Sequence, residues 1–260
     1  MWSRVVVGTD GSPESLEAAR QAATLLEADG ELTLLNAYDV LPAFVGGTVG
    51  TTASARIDEE AQREAAEKAL AGAVQATPGA KGELKRGRAW EELISEAERQ
   101  RAGVIAVGSH GRTRAAGILL GSTATDLIHK APSSVLLART AGEDFPRSIV
   151  VGVDGSPESA RAYEVAADLS ARFGARLWNV VAHGGKGVDA KRVADVVGHH
   201  REDLQDDPVE ALLAAASDAD LLVVGSRGLH GLRALGSVSE RVAHRATCSV
   251  LVVRHASWEK

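Results

Sequence analysis

Cysteine is almost absent from this chain: Cys248 is its single thiol, so no internal disulfide can form. It sits in an apolar run (ATCSVLVVR, 246–254), where a small core residue is expected rather than a reactive one. Aromatic residues make up only 3% of the sequence, which leaves few stacking platforms for single-stranded nucleic acid. The formal net charge is −6 and no strongly basic segment stands out. Phosphate backbones are bound chiefly through clustered Lys and Arg, so no DNA or RNA partner is expected. No apolar run approaches the roughly 18–20 residues that span a bilayer, so no membrane partner is expected either. The opening residues, MWSRVVVG, run straight into a strand pattern without a signal-peptide cleavage region, and cytoplasm is the expected compartment. A Walker-type G-x-x-x-x-G-K-[ST] loop is missing, and so is a G-x-S-x-G nucleophile elbow. His199, His200 and His230 lack metal-ligand spacing, and no metal site is expected.

What is present is a chain of 260 residues, 45% hydrophobic and 25% charged. That describes a globular protein with ample material for a core, either as one large domain or as two ordinary ones. The chain is written twice. VVGTDGSPES at 6–15 returns as VVGVDGSPES at 150–159, differing at one position. APSSVLLAR at 131–139 returns as ATCSVLVVR at 246–254, and the LLNA at 34–37 aligns with LWNV at 177–180. A repeat of this length means two copies of one domain rather than a short-period solenoid. The small, charged and proline-bearing stretch 140–147 reads as the linker, which gives domains over 1–141 and 146–260.

Each copy alternates strands and helices. In the first, strands are expected at 4–8, 32–37, 83–86, 104–107 and 135–138. Ser12 and Pro13 mark a helix start, with serine at the N-cap and proline in the first turn, and the helix should run to about residue 25. Further helices are expected over about 54–76, 91–100 and from about 123. Near-continuous apolar strands alternating with helices imply a parallel sheet covered on both faces, a doubly wound α/β fold. The second copy is 26 residues shorter between its second strand and its glycine loop. It offers a brief helix over 189–197, a poor strand candidate over 199–204, and a well-capped helix start at Asp207 and Pro208.

The chemistry is expected beyond the carboxyl ends of the strands, where strand order reverses. GSHG at 108–111 follows an apolar strand, and Gly121 and Ser122 come nine residues later, where a helix begins. Glycine turns let backbone amides approach phosphate oxygens, and a helix start adds unpaired N–H groups and the positive dipole end. Glycines at these positions also suit an ordinary strand-to-helix turn. Asp10 has the same two readings, a carboxylate for a ribose hydroxyl or an adenine amino group, or an Asx-turn holding Gly11 and Ser12. His110, Arg112 and Arg114 lie in or beside the loop, placed either to screen phosphate charge or to be solvated. A run at 185–190 imitates a dinucleotide fingerprint without its strand–turn–helix setting.

The opening V-x-V-G-x-D-G-S, the loop G-x-x-G-x9-G-S and the closing A-P-x-x-V-L-x-x-R together resemble the universal stress proteins in their tandem form, over essentially the whole chain. The resemblance implies an adenine nucleotide alpha hydrolase-like fold: two five-stranded parallel sheets of order 3-2-1-4-5, paired through their last strands. It also implies a stress-response role, with ATP bound in some members and not in others. By that resemblance Asp10 and the backbone at Ala37 contact adenine and ribose, while Gly108, Gly111, Gly121 and Ser122 hold phosphates. Thr9, Ser109, His110, Arg112 and Thr123 complete the candidate set. The matching second set is Asp154, Val180, Gly225, Gly228, Gly236 and Ser237.

Two departures matter. Only seven residues separate Gly228 from Gly236. Two extended residues span up to about 7 Å, far beyond hydrogen-bond tolerance, so the second loop takes another path and its site is expected to bind ATP weakly or not at all. Ala124 stands where the family usually has serine, as Ser239 does in the second copy. Three readings stay open: a regulator that holds ATP, with or without Mg²⁺, mainly in its first domain; a weak ATPase or phosphoryl-transfer enzyme; and a nucleotide-free interaction module. No catalytic residue set suggests itself. A homodimer of the whole chain also stays open.

Overall fold

The structure, a computed structural model, describes residues 2–39, 44–45, 48–49, 53–111, 120–182, 202–204, 207–226, 238–256 and 258. Arg112, Arg114, Gly228, His230, Gly236 and Ser237 lie outside these residues. So do the helix expected over 189–197 and the fingerprint-like run at 185–190.

In chain order the elements are β1 (Trp2–Gly8), α1 (Pro13–Leu25), β2 (Leu26–Tyr38), β3 (Phe44–Val45), β4 (Thr48–Val49), α2 (Ala53–Ala76), β5 (Lys81–Arg86), α3 (Ala89–Gln100), β6 (Val104–Gly108), α4 (Ser122–Lys130) and β7 (Ser134–Ala138). The second half follows with β8 (Ser148–Gly152), α5 (Pro157–Phe173), β9 (Arg176–Ala182), β10 (Glu202–Leu204), α6 (Pro208–Ala215), β11 (Leu221–Gly225), α7 (Val238–Arg245) and β12 (Ser249–Val253). The repeated SPE starts its helix twice. Ser12 accepts from the amide of Ser15, and Ser156 from that of Ser159, each with proline in the first turn. Asp207 caps α6 by accepting from the amides of Val209 and Glu210.

Ten strands form one sheet in the order β10-β9-β8-β11-β12-β7-β6-β1-β2-β5, and β3 and β4 make a separate short hairpin. In the large sheet every pairing within a half is parallel, and numbering each half's strands of that sheet from its own first gives the order 3-2-1-4-5. The halves meet antiparallel at β7 and β12, with Leu136 opposite Leu251. Alternate strand residues feed two cores. Val5, Val7 and Ala106 face α1 and α2, while Val6, Ile105 and Val107 face α3 and α4. Each core continues across the β7–β12 join into the second half.

Two strands differ from expectation. β2 begins at Leu26, not at 32, because Trp2 pairs with Leu26 before the register slips to Arg4 opposite Glu31. The polar EADG at 27–30 hides this extension, since its residues have low strand propensity. Glu202–Leu204 is a strand despite its composition. It is added at the sheet edge by backbone pairing with Val180–Ala182. The 140–147 linker is held down: Arg20 donates to the carbonyls of Gly142 and Glu143, the amide of Ala141 donates to Glu17, and Phe145 is buried.

Candidate functional site

The carboxyl ends of β1, β2 and β6 and the start of α4 surround a cavity of about 460 Å³, within the range of small-molecule sites. One side is apolar, built from Leu35, Ala89, Leu93, Val107 and Ala124; the other carries Asp10, His110, Gly111, Ser122 and Thr123. Thr9, Ala37, Gly108 and Gly121 also line it. Ten of the eleven first-half candidates are described, and nine of them converge here. Ser109 does not. It is buried, its amide donates to Ala138 and its hydroxyl lies 3.0 Å from Nδ1 of His110.

Asp10 does the turn work the sequence suggested. Its Oδ1 accepts from the amide and hydroxyl of Ser12, at 3.0 and 2.6 Å. Its Oδ2 points toward the loop, since a Cβ on Gly111 would lie 2.8 Å from it. Oδ1 thus meets the turn reading, while Oδ2 lies on the loop side of the carboxylate. Behind it, Thr9 Oγ1 and Ser15 Oγ are 3.1 Å apart, and Ser15 Oγ accepts from the Asp10 amide.

The start of α4 has no side-chain cap, because Gly121 is its N-cap, and no acidic residue lies in its first turn. The other helix starts whose caps are described differ. α1, α5 and α6 have capping side chains, and α3, which lacks one, carries Glu91 and Glu92 in its first turn. The amides of Ser122, Thr123 and Ala124, the first three of the helix, have no acceptor within it, and all three residues line the cavity. Gly121 itself contributes less than expected, because its amide already donates to the Ser109 carbonyl at 2.8 Å. Among the described residues a Cβ there would meet nothing closer than 3.6 Å. Gly108 is different, for a Cβ would lie 2.9 Å from the Glu14 carbonyl group. Its missing side chain lets α1 pack against β6, whatever else the loop does.

In the second half Asp154 repeats the turn, accepting from the amide of Ser156 at 2.9 Å, and is exposed. Gly225 repeats the close approach, against Glu158. Val180 is not the counterpart of Ala37. Gly8 pairs with Leu35 and Gly152 with Val180, so Val180 matches Leu35 and Ala182 matches Ala37. The aligned letters were two residues out of register. A two-residue slip keeps every side chain on its own face, so hydrophobic patterning cannot detect it.

Residues that sequence reasoning missed supply the cavity's walls. Asn36 is buried and donates to the Ala66 carbonyl of α2, and Leu35, Leu93 and Ala89 form the apolar side. Their strand and helix pattern marked them only as core. No group of three His, Cys, Asp or Glu side chains is placed to hold a metal among the described residues, and Asp10 is the one carboxylate in the described lining.

The profile of the universal stress protein family matches residues 1–139 and 185–254. The chain belongs to the universal stress protein family. A universal stress protein of Mycolicibacterium smegmatis is 32% identical over 286 residues, covering 96% of each chain. One from Mycobacterium bovis is 29% identical over 304 residues, 96% of this chain and 94% of that one. The crystal structure of a universal stress protein from Archaeoglobus fulgidus superposes with a TM-score of 0.73 at 23% identity, covering 98% of this chain and 97% of that one. That likeness is one of fold, and it spans both halves of this chain. Among the described residues no helix is long and apolar enough to cross a membrane.

Proposed function

We propose that this universal stress protein binds ATP, with or without Mg²⁺, in the cavity of its first half and acts as a nucleotide-responsive regulator of the stress response. The observation that carries the reading is the uncapped start of α4 opening on that cavity. Three amides and a helix dipole await a negative group there. The apolar wall of Leu35, Leu93 and Val107 suits a flat base, and Asp10 suits a ribose hydroxyl or an exocyclic amine. Asp10 alone among the described lining residues has a carboxylate for water or Mg²⁺, which favours holding ATP over hydrolysing it. The shortened loop of the second half leaves that half as a structural partner with little or no nucleotide.

Mass spectrometry of nucleotide released from fresh protein tests this, together with Gly121→Asp. Among the described residues a side chain at 121 meets only ordinary contacts, so the variant should fold. An aspartate at an N-cap accepts from the helix amides and stabilises by about 0.5 kcal/mol. The expected outcome is therefore lost ATP with an unchanged or higher melting temperature. Retained ATP would refute the phosphate assignment, and ADP accumulating under turnover conditions would point to the enzyme reading instead. Gly236→Asp should leave the nucleotide content unchanged; a large loss there would refute the asymmetry between the halves.

A further inference from the structure

The C-terminal end of α4 is held by the other half of the molecule. Arg254, which follows β12, reaches across the β7–β12 join into the last turn of α4. There its guanidinium donates to the carbonyls of Leu127 (3.4 Å), Ala131 (2.7 Å) and Ile128. The side chain is buried, and among the described residues its hydrogen-bond partners are carbonyls, with no carboxylate among them. Its backbone is clamped by Ser134, whose hydroxyl accepts from the Arg254 amide at 3.1 Å. A second tie joins the same helix to the second half, His129 Nε2 standing 2.9 Å from Glu240 Oε1 on α7. The arrangement is reciprocal. Arg139, which follows β7, donates to the carbonyl of Ala243 in the last turn of α7 and to that of Cys248 just before β12, and Ser249 clamps its backbone.

Burial pulls the Arg254 guanidinium down to about 10, so at neutral pH it remains a cation. A buried cation without a carboxylate is costly unless dipoles compensate it. The carbonyl end of a helix supplies such dipoles. The cation neutralises the negative end of α4 and fixes the axis of a nine-residue helix, about 13 Å long, whose opposite end faces the cavity.

Building on the nucleotide reading above, we propose that Arg254 is a positioning residue for the first-half site: it aims the amide end of α4 at the phosphates from the other half of the molecule. Occupancy of the site and the integrity of the β7–β12 join are thereby coupled through one helix.

The test compares Arg254→Met with its mirror, Arg139→Met, which breaks an equivalent tie on α7. Titration calorimetry with ATP and with adenosine is paired with amide hydrogen exchange of residues 122–125 in nucleotide-free protein. Arg254→Met should weaken ATP binding about tenfold, while adenosine, which has no phosphate, changes little. It should also speed exchange at residues 122–125. Arg139→Met should leave ATP affinity within about twofold and that exchange unchanged. If Arg254→Met fails to fold, Arg254→Lys takes its place, keeping the charge but losing the fork, with an expected loss of about threefold. Equal losses of ATP and adenosine, equal effects of the two mirror variants, or unchanged exchange in Arg254→Met would each overturn the proposal. Failure of wild-type protein to bind ATP at all would instead sink the nucleotide reading, and the exchange comparison would still decide whether Arg254 holds the front of α4.

Discussion

A methyl group on residue 108 would sit 2.9 Å from the carbonyl of Glu14, and one on residue 225 would sit 2.4 Å from that of Glu158. Both neighbours are backbone in a helix, with no flexible tip to swing away. Gly108→Ala and Gly225→Ala should each destabilise by about 1–3 kcal/mol, the second more than the first, measured by urea unfolding. Equal stability to wild type would show that α1 and α5 shift freely against the sheet. The sequence marked Gly108, Gly111 and Gly121 alike, as a loop for phosphates. The structure separates them, because a glycine needed for helix packing and one that only lines a cavity look identical in letters. Cys248 needed no such separation. Burial pushes its thiol up to about 11, with the Arg139 guanidinium opposing, so it stays protonated at neutral pH.

Among the elements, α1 does more than cover the sheet. Its Glu17 accepts from Arg20, Gln21 and the Ala141 amide, and Gln21 donates to the Arg139 carbonyl. Burial alone would raise the Glu17 carboxyl, but hydrogen bonds from Arg20 and Gln21, then the Arg20 charge, hold it below its usual value. A carboxyl depressed in the folded state stabilises fully above its unfolded pKa, and that contribution is lost as pH falls through the folded one. Amide exchange over residues 141–143 should therefore quicken as pH drops below about 4, after correction for intrinsic exchange, and Glu17→Gln should flatten the dependence. An unchanged profile in the variant would assign the linker's hold to Arg20 alone. The linker was legible as a boundary from its composition, whereas its anchoring was not. The partners are more than a hundred residues apart, and Glu17, Arg20 and Gln21 look like any solvated helix face. Helix starts were legible because SPE and DP carry their caps within three residues, while the register of β9 lay in backbone pairing that no side-chain pattern records.

At the scale of the whole molecule, residues 1–141 and 146–260 are proposed as two domains that complete one sheet between them. β7 is apolar and buried on both faces, with β6 on one side and β12 on the other. The chain cut after residue 141 should therefore expose an unpaired edge and dimerise or aggregate, as read by sedimentation velocity. A stable monomer would show that the first domain needs no partner. The antiparallel meeting of β7 and β12 also turns the carboxyl ends of the two half-sheets in opposite directions, so β6 and β11, the strands that lead into the two loops, end at opposite edges of the seam. An assembly of two separate identical chains must carry two identical sites, since one stretch of gene writes both. Here each half is spelled separately, and a change in one loop has no enforced copy in the other. The seam makes this protein a permanently tethered pair whose members are free to differ; on the function proposed above, it would report a single binding event per chain from one end only.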